Sequence, residues 1–142
     1  MKCCYCQNDL TEDFLGTCCP NESCKSIDGI ILVKYRSYGT EWFKNGKLHR
    51  KDGPALEIIN GKTHWCKNGE LHRKDGPAVE FPDGRKDWYL NGKRHREDGP
   101  AVEYVDGTKE WYQNGELHRE DGPAIECPDG YQEYWVDGKK IK

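Results

Sequence analysis

Nowhere does this chain approach the roughly 18 consecutive apolar residues of a membrane-spanning helix, and its first residues, MKCCYCQNDL, lack the apolar core of a secretory leader. Also missing is an excess of charge of one sign. Lys and Arg number 22 against 25 Asp and Glu, interleaved, for a net charge of −3. Without a basic stripe, counterion release cannot drive binding to phosphate backbones, so generic nucleic-acid affinity is disfavoured. Apolar residues are few, 35% of the chain, with a mean hydropathy of −1.03. Scattered, they would suit disorder; here they recur at fixed register, which suits a thin, well-wetted β-structure. These features read as a soluble protein of cytoplasmic type. No non-repeated constellation of catalytic residues stands out, so the chain reads as no enzyme.

What the sequence does have is a ruler. Trp42, Trp65, Trp88 and Trp111 stand 23 residues apart. Each is followed in register by Asn-Gly, His-Arg and Asp-Gly-Pro-Ala. One unit is copied about four and a half times, the mark of a repeat architecture in which each unit buries its apolar side only against the next. The expected fold is all-β: an elongated single-layer antiparallel meander of 23-residue repeats, capped by a small zinc module. Residues 1–29 form the cysteine module and 30–142 the array.

Two turns are expected per unit. Asn-Gly at 45–46, 68–69, 91–92 and 114–115, and Asp-Gly at 137–138, predict type I′ hairpin turns, which need φ > 0 at both positions. The second turn falls at Asn60-Gly61, Asp83-Gly84, Asp106-Gly107 and Asp129-Gly130. Alternating runs such as TKEWYQ and AVEYV lie between them and read as strands. His-Arg-x-Asp-Gly-Pro-Ala interrupts the second strand, because proline cannot donate to a ladder and glycine relieves the backbone; Gly53-Pro54 and its equivalents mark a bulge or corner.

His49, His72, His95 and His118 each precede an aspartate by three residues, which suggests a bond from the imidazole to a carboxylate or backbone group across the corner. A shared metal along the histidines is excluded by spacing: two strands per unit put neighbouring copies about 10 Å apart. His64, where other copies are acidic, reads as a tolerated surface substitution. Cys66 and Cys127 replace apolar residues and read as buried thiols. The tryptophans form one row, either the small core of a single-layer sheet or, where left open, a groove for a peptide or flat ligand. Trp65, Trp88, Trp111, His72, His95, His118, Arg73, Arg96 and Arg119 are the candidate binding residues, spread along about 40 Å of surface.

Six of eight cysteines lie in the first 24 residues. Cys3 and Cys6 form a C-x2-C pair, and Cys18, Cys19 and Cys24 follow a short polar loop. Four soft ligands at such spacings suit tetrahedral Zn²⁺, with Cys3, Cys6, Cys19 and Cys24 as the preferred set and Cys4 or Cys18 as replacements for a neighbour. A site closed by four protein ligands is structural, and the metal would supply most of the folding free energy of so small a module. Free thiols or a redox pair are the alternative. The apolar run Ile30-Ile31-Leu32-Val33 would close one end of the array, and Lys139, Lys140 and Lys142 would blunt the last strand at the other.

Over residues 38–142 the pattern W-Y-x-N-G-x-x-H-R-x-D-G-P-A-x-x-x-x-D-G resembles the MORN-repeat group in a variant form, and the cysteine cluster resembles a zinc ribbon in its spacing. Where MORN arrays have a Gly-x-Gly strand, this chain has the bulkier Arg-x-Asp-Gly-Pro-Ala. The resemblance implies a scaffold or protein-binding surface, of a kind found in small proteins of bacteriophages and large DNA viruses. It implies a partner in the host cytoplasm, such as a defence or toxin component. Two other readings stay open: nucleic-acid binding led by the zinc ribbon, and an enzyme using a His-Asp pair within one repeat.

Overall fold

A computed structural model describes residues 32–142, so the cysteine module, with Cys3, Cys6, Cys19 and Cys24, lies outside the described residues. Every regular element among the described residues is a β-strand. An antiparallel sheet runs in chain order through Leu32–Arg36, Gly39–Lys44, Leu56–Ile58, Thr63–His64, Val79–Glu80, Lys86–Asp87, Val102–Glu103, Lys109–Glu110, Ile125–Glu126 and Gln132–Glu133. Lys47–Leu48 pairs with Gly39–Lys44 as its eleventh strand. Each 23-residue unit thus advances the sheet by two strands, as the meander predicts.

The meander is not one ladder throughout. Cys66–Lys67 with Glu70–Leu71, Tyr89–Leu90 with Lys93–Arg94, Tyr112–Gln113 with Glu116–Leu117, and Trp135–Val136 with Lys139–Lys140 form four separate two-stranded hairpins beside the main sheet. The break falls at the tryptophan. The Trp65 N–H donates to Ala78 O at 2.7 Å, while its carbonyl accepts the His72 N–H at 2.9 Å. Trp42, Trp88 and Trp111 repeat both bonds. One tryptophan backbone therefore closes the neck of the loop from His to Ala. The corner is an excursion out of the sheet, held shut at its base.

Both turns take the form their residues dictate. Asn45, Asn68, Asn91, Asn114 and Asp137 have φ between 48° and 54°, each followed by a glycine of positive φ, the type I′ geometry. In the other turn only the glycine is left-handed, with φ of 93°, 99°, 91° and 90° at Gly61, Gly84, Gly107 and Gly130. There the side-chain oxygen of Asn60, Asp83, Asp106 or Asp129 accepts the N–H two residues on, at 2.8–3.0 Å. Asparagine thus prevails where the residue itself turns left-handed, and aspartate where an acceptor is needed.

Successive units are joined through the backbone. Ala55, Ala78, Ala101 and Ala124 donate to His64, Asp87, Glu110 and Glu133 of the following unit at 2.7–2.9 Å. All four alanines are 0% exposed, so a larger side chain has no room there. With Val79, Val102 and Cys66 they make up the buried apolar core among the described residues. Burial pushes the Cys66 thiol up to about 11, which makes it an inert packing group, as the sequence suggests. Cys127 is half-buried.

Candidate protein-binding surface

The corner loops carry the most regular side-chain chemistry among the described residues. In each, an arginine lies flat on its own unit's tryptophan. The guanidinium carbon is 4.1 Å from the ring centre for Arg50 on Trp42, 3.9 Å for Arg73 on Trp65, and 4.1 Å for both Arg96 on Trp88 and Arg119 on Trp111. Beyond the guanidinium sits the corner glycine. A Cβ at Gly53, Gly76, Gly99 or Gly122 would lie only 2.7–3.0 Å from that arginine carbon. Glycine is required here because the guanidinium is sandwiched between an indole and a bare backbone, and not for its φ.

Hydrogen bonds fix the same arginine at its rim. The Nη1 of Arg96 donates to Pro100 O at 3.2 Å and to Glu103 at 3.0 Å, while its Nε donates to Asp98 at 2.9 Å. Arg73 and Arg119 repeat all three bonds, and Arg50 repeats the two made by Nη1. A charge-assisted pair placed on an aromatic face keeps one geometry where a lone surface pair would not. The corner aspartate, one of the partners expected for the histidine, is taken by the arginine in the second, third and fourth units.

The histidines look forward along the array. The Nδ1 of His49, His72 and His95 accepts the backbone N–H of Asn68, Asn91 and Asn114 at 3.1 Å, and that of His118 accepts from Asp137 at 3.2 Å. Each partner is 19 residues away, in the type I′ turn of the next unit. The same Nδ1 of His49, His72 and His118 lies 2.9 Å from the side-chain oxygen of Asn68, Asn91 and Asp137, so each ring meets both the backbone and the side chain of that turn residue. Each imidazole is thus a pin between units: the histidines do not bond the aspartate of their own corner, and His118 meets the Asp137 carboxylate of the following turn at 2.9 Å.

The nine candidate residues, Trp65, Trp88, Trp111, His72, His95, His118, Arg73, Arg96 and Arg119, come together on this corner side as three equivalent sets. Between the loops of the second and third units lies a groove of about 800 Å³, walled by residues 73–77 and 95–98 and floored by Trp88 and Leu90. Its walls end in the carboxylates of Asp75, Glu97 and Asp98, whose side chains are 84%, 88% and 85% exposed.

Behind the tryptophans runs a row of which sequence reasoning placed one member, His64, at the surface. His64, Asp87 and Glu110, each one residue before a tryptophan, alternate to the opposite face, beside the aliphatic Leu56, Val79, Val102 and Ile125. Asp87 is 3% exposed there, gripped by Arg85 through bonds of 2.7 and 2.8 Å, with Arg94 at 3.5 Å. Burial alone would lower the Arg94 pKa, but Tyr89, Tyr112 and Asp87 outweigh it and raise it. Glu133 is held down to about 2 by Lys140, Tyr131 and Trp135. His64 sits in the same row, half-buried, with Nε2 shielded and unpartnered. It is therefore no surface substitution, and burial, then nearby Lys62, lowers its pKa. The signal available in the sequence was the strict alternation with the tryptophan.

Among the described residues no three His, Cys, Asp or Glu side chains converge on a metal position. No helix among them is long and apolar enough to cross a membrane. Compared with known proteins, the chain matches no family model and no curated protein.

Proposed function

We propose that this chain is a non-enzymatic protein-binding repeat protein of MORN-like type that engages its partner along the corner loops. The observation that carries the reading is the groove between successive corners, flanked by tryptophan and arginine side chains already fixed by stacking and hydrogen bonds. A surface whose side chains are ordered beforehand loses little conformational entropy on binding, which is where much of the cost of association lies. Repetition adds several equivalent contact points along one partner. If the chain is phage-encoded, as the resemblance implies, that partner is a host protein of the defence or toxin kind.

The test is affinity capture from a candidate host lysate with the intact protein and a Leu90→Arg variant, followed by reconstitution from purified components. Leu90 lines the groove floor without belonging to any stack. The wild-type chain is expected to hold a specific protein that the variant loses. Equal retention by both, or turnover of a substrate by the purified chain, would defeat the reading. Structural zinc at Cys3, Cys6, Cys19 and Cys24 is a separate proposal, carried by the cysteine spacing. Elemental analysis is expected to find about one zinc per chain, lost in Cys19→Ser.

A further inference from the structure

The corner row has a period, and the period selects a ligand conformation. Each unit contributes two strands to the main sheet, so equivalent corners are spaced about 9.6 Å apart. A polyproline II helix rises about 3.1 Å per residue with three residues per turn, so one of its edges repeats every 9.3 Å or so. A β-strand presents one face every 6.7 Å or so and falls out of step after a single unit.

The corners also differ in charge along the array. In the first two units Arg50 and Lys51 balance Asp52 and Glu57, and Arg73 and Lys74 balance Asp75 and Glu80. In the next two, the lysine is replaced by glutamate. Arg96 then faces Glu97, Asp98 and Glu103, and Arg119 faces Glu120, Asp121 and Glu126. Each of these corners carries two uncompensated negative charges, with Glu97, Asp98, Glu120 and Asp121 exposed by 82 to 88%. The groove floor between the second and third corners is an indole and a leucine, a surface on which proline rings pack.

We propose that the partner segment recognised here is a basic polyproline II stretch. It lies across the corners with a Lys or Arg at every third residue, and its cations sit against the third and fourth units. The inference rests on the protein-binding reading and narrows it to one ligand chemistry. Proline or another apolar residue enters the groove between the second and third corners, and the flanking cations meet the free oxygens of Glu97 and Asp98 and of Glu120 and Asp121.

Fluorescence anisotropy with three labelled peptides of equal length, (Pro-Pro-Lys)4, (Pro-Pro-Glu)4 and (Pro-Lys)6, tests it on the full-length protein. (Pro-Pro-Lys)4 is expected to bind most tightly, although (Pro-Lys)6 carries more charge, and to weaken with added salt. The Glu97→Lys/Glu120→Lys variant is expected to lose about tenfold or more in affinity. Glu70→Lys/Glu116→Lys, on the Asn-Gly hairpins and outside the groove lining, is expected to leave it unchanged. Equal or tighter binding of (Pro-Lys)6, no binding of (Pro-Pro-Lys)4, or the same loss from both double variants would overturn the proposal. Capture of a partner that Leu90→Arg loses, without peptide binding, would sink the polyproline assignment alone. Failure of the capture experiment would remove the broader reading.

Discussion

Gly99 has no side chain because Arg96 occupies the space where one would be. At a glycine of ordinary φ, alanine stabilises a protein by about 0.4–1 kcal/mol through the unfolded state. Gly99→Ala should do the opposite, since its Cβ would force the guanidinium off Trp88 and strain its bonds to Pro100 and Glu103. A net loss of roughly 1–2 kcal/mol is expected from urea unfolding. In an Arg96→Ala background the same change should become neutral or stabilising, a sign reversal that a double-mutant cycle reads directly. His64 gives a second prediction at this scale. Its folded pKa lies below the ordinary 6.5, so the unfolded chain binds its proton first. Stability is complete above the unfolded value and falls as pH drops below about 6.5, levelling only beneath the folded pKa. Comparing unfolding midpoints of wild type and His64→Leu between about pH 7.5 and pH 5 isolates that term. A parallel decline in both proteins would show that His64 contributes nothing. The Glu133 carboxylate adds its loss further down, from about 4.5 toward about 2 as its partners give it up.

The turns behave as independent local devices at the element scale, which is why they were legible in the chain. Asn-Gly demands a left-handed pair whatever surrounds it, and the five φ values near 50° follow. Asn91→Ala should therefore cost about 1 kcal/mol, Asn91→Gly a few tenths, and Asn91→Asp little, since Asp137 already adopts the same φ. Thermal unfolding of the three variants checks the order; equal effects would mean that the side chain, and not φ, decides. The corner was legible for a similar reason, proline and glycine together being incompatible with a ladder. Its internal wiring was not. Histidine and aspartate are three residues apart in sequence, yet the histidine bonds a turn 19 residues on and the aspartate bonds arginine. The forward bond exists only once two units are superposed, so no window within a single unit contains it. The row of Asp87, Glu110 and His64 was hidden for a different reason. An acidic residue on a strand suggests a solvated face, and only the neighbouring Arg85 and Arg94 make the burial of Asp87 tolerable, as Tyr104 and Tyr112 do the half-burial of Glu110.

Across the described array, contacts run between neighbouring units, so its stability should be a sum of unit and interface contributions. Removing a whole period is then a milder change than removing part of one. Deleting residues 85–107 joins Gly84 to Thr108 and lets Val79–Glu80 pair with Lys109–Glu110 in the register now held by Lys86–Asp87. The deletion also takes Asp87 together with Arg85 and Arg94, so no buried charge is orphaned. His72 regains a turn to pin, because Asn114 moves into the place of Asn91. The shortened chain should keep its β-type circular dichroism and unfold cooperatively, with a denaturant slope reduced roughly in proportion to the residues lost and a lower midpoint. A deletion of 97–107 alone removes the corner while leaving Trp88 and Arg96 without Ala101, Pro100 or Glu103. That chain should fail to fold. If the full-period deletion were instead the more damaging of the two, the units would not be interchangeable. The fold would then depend on contacts that the 23-residue period does not carry.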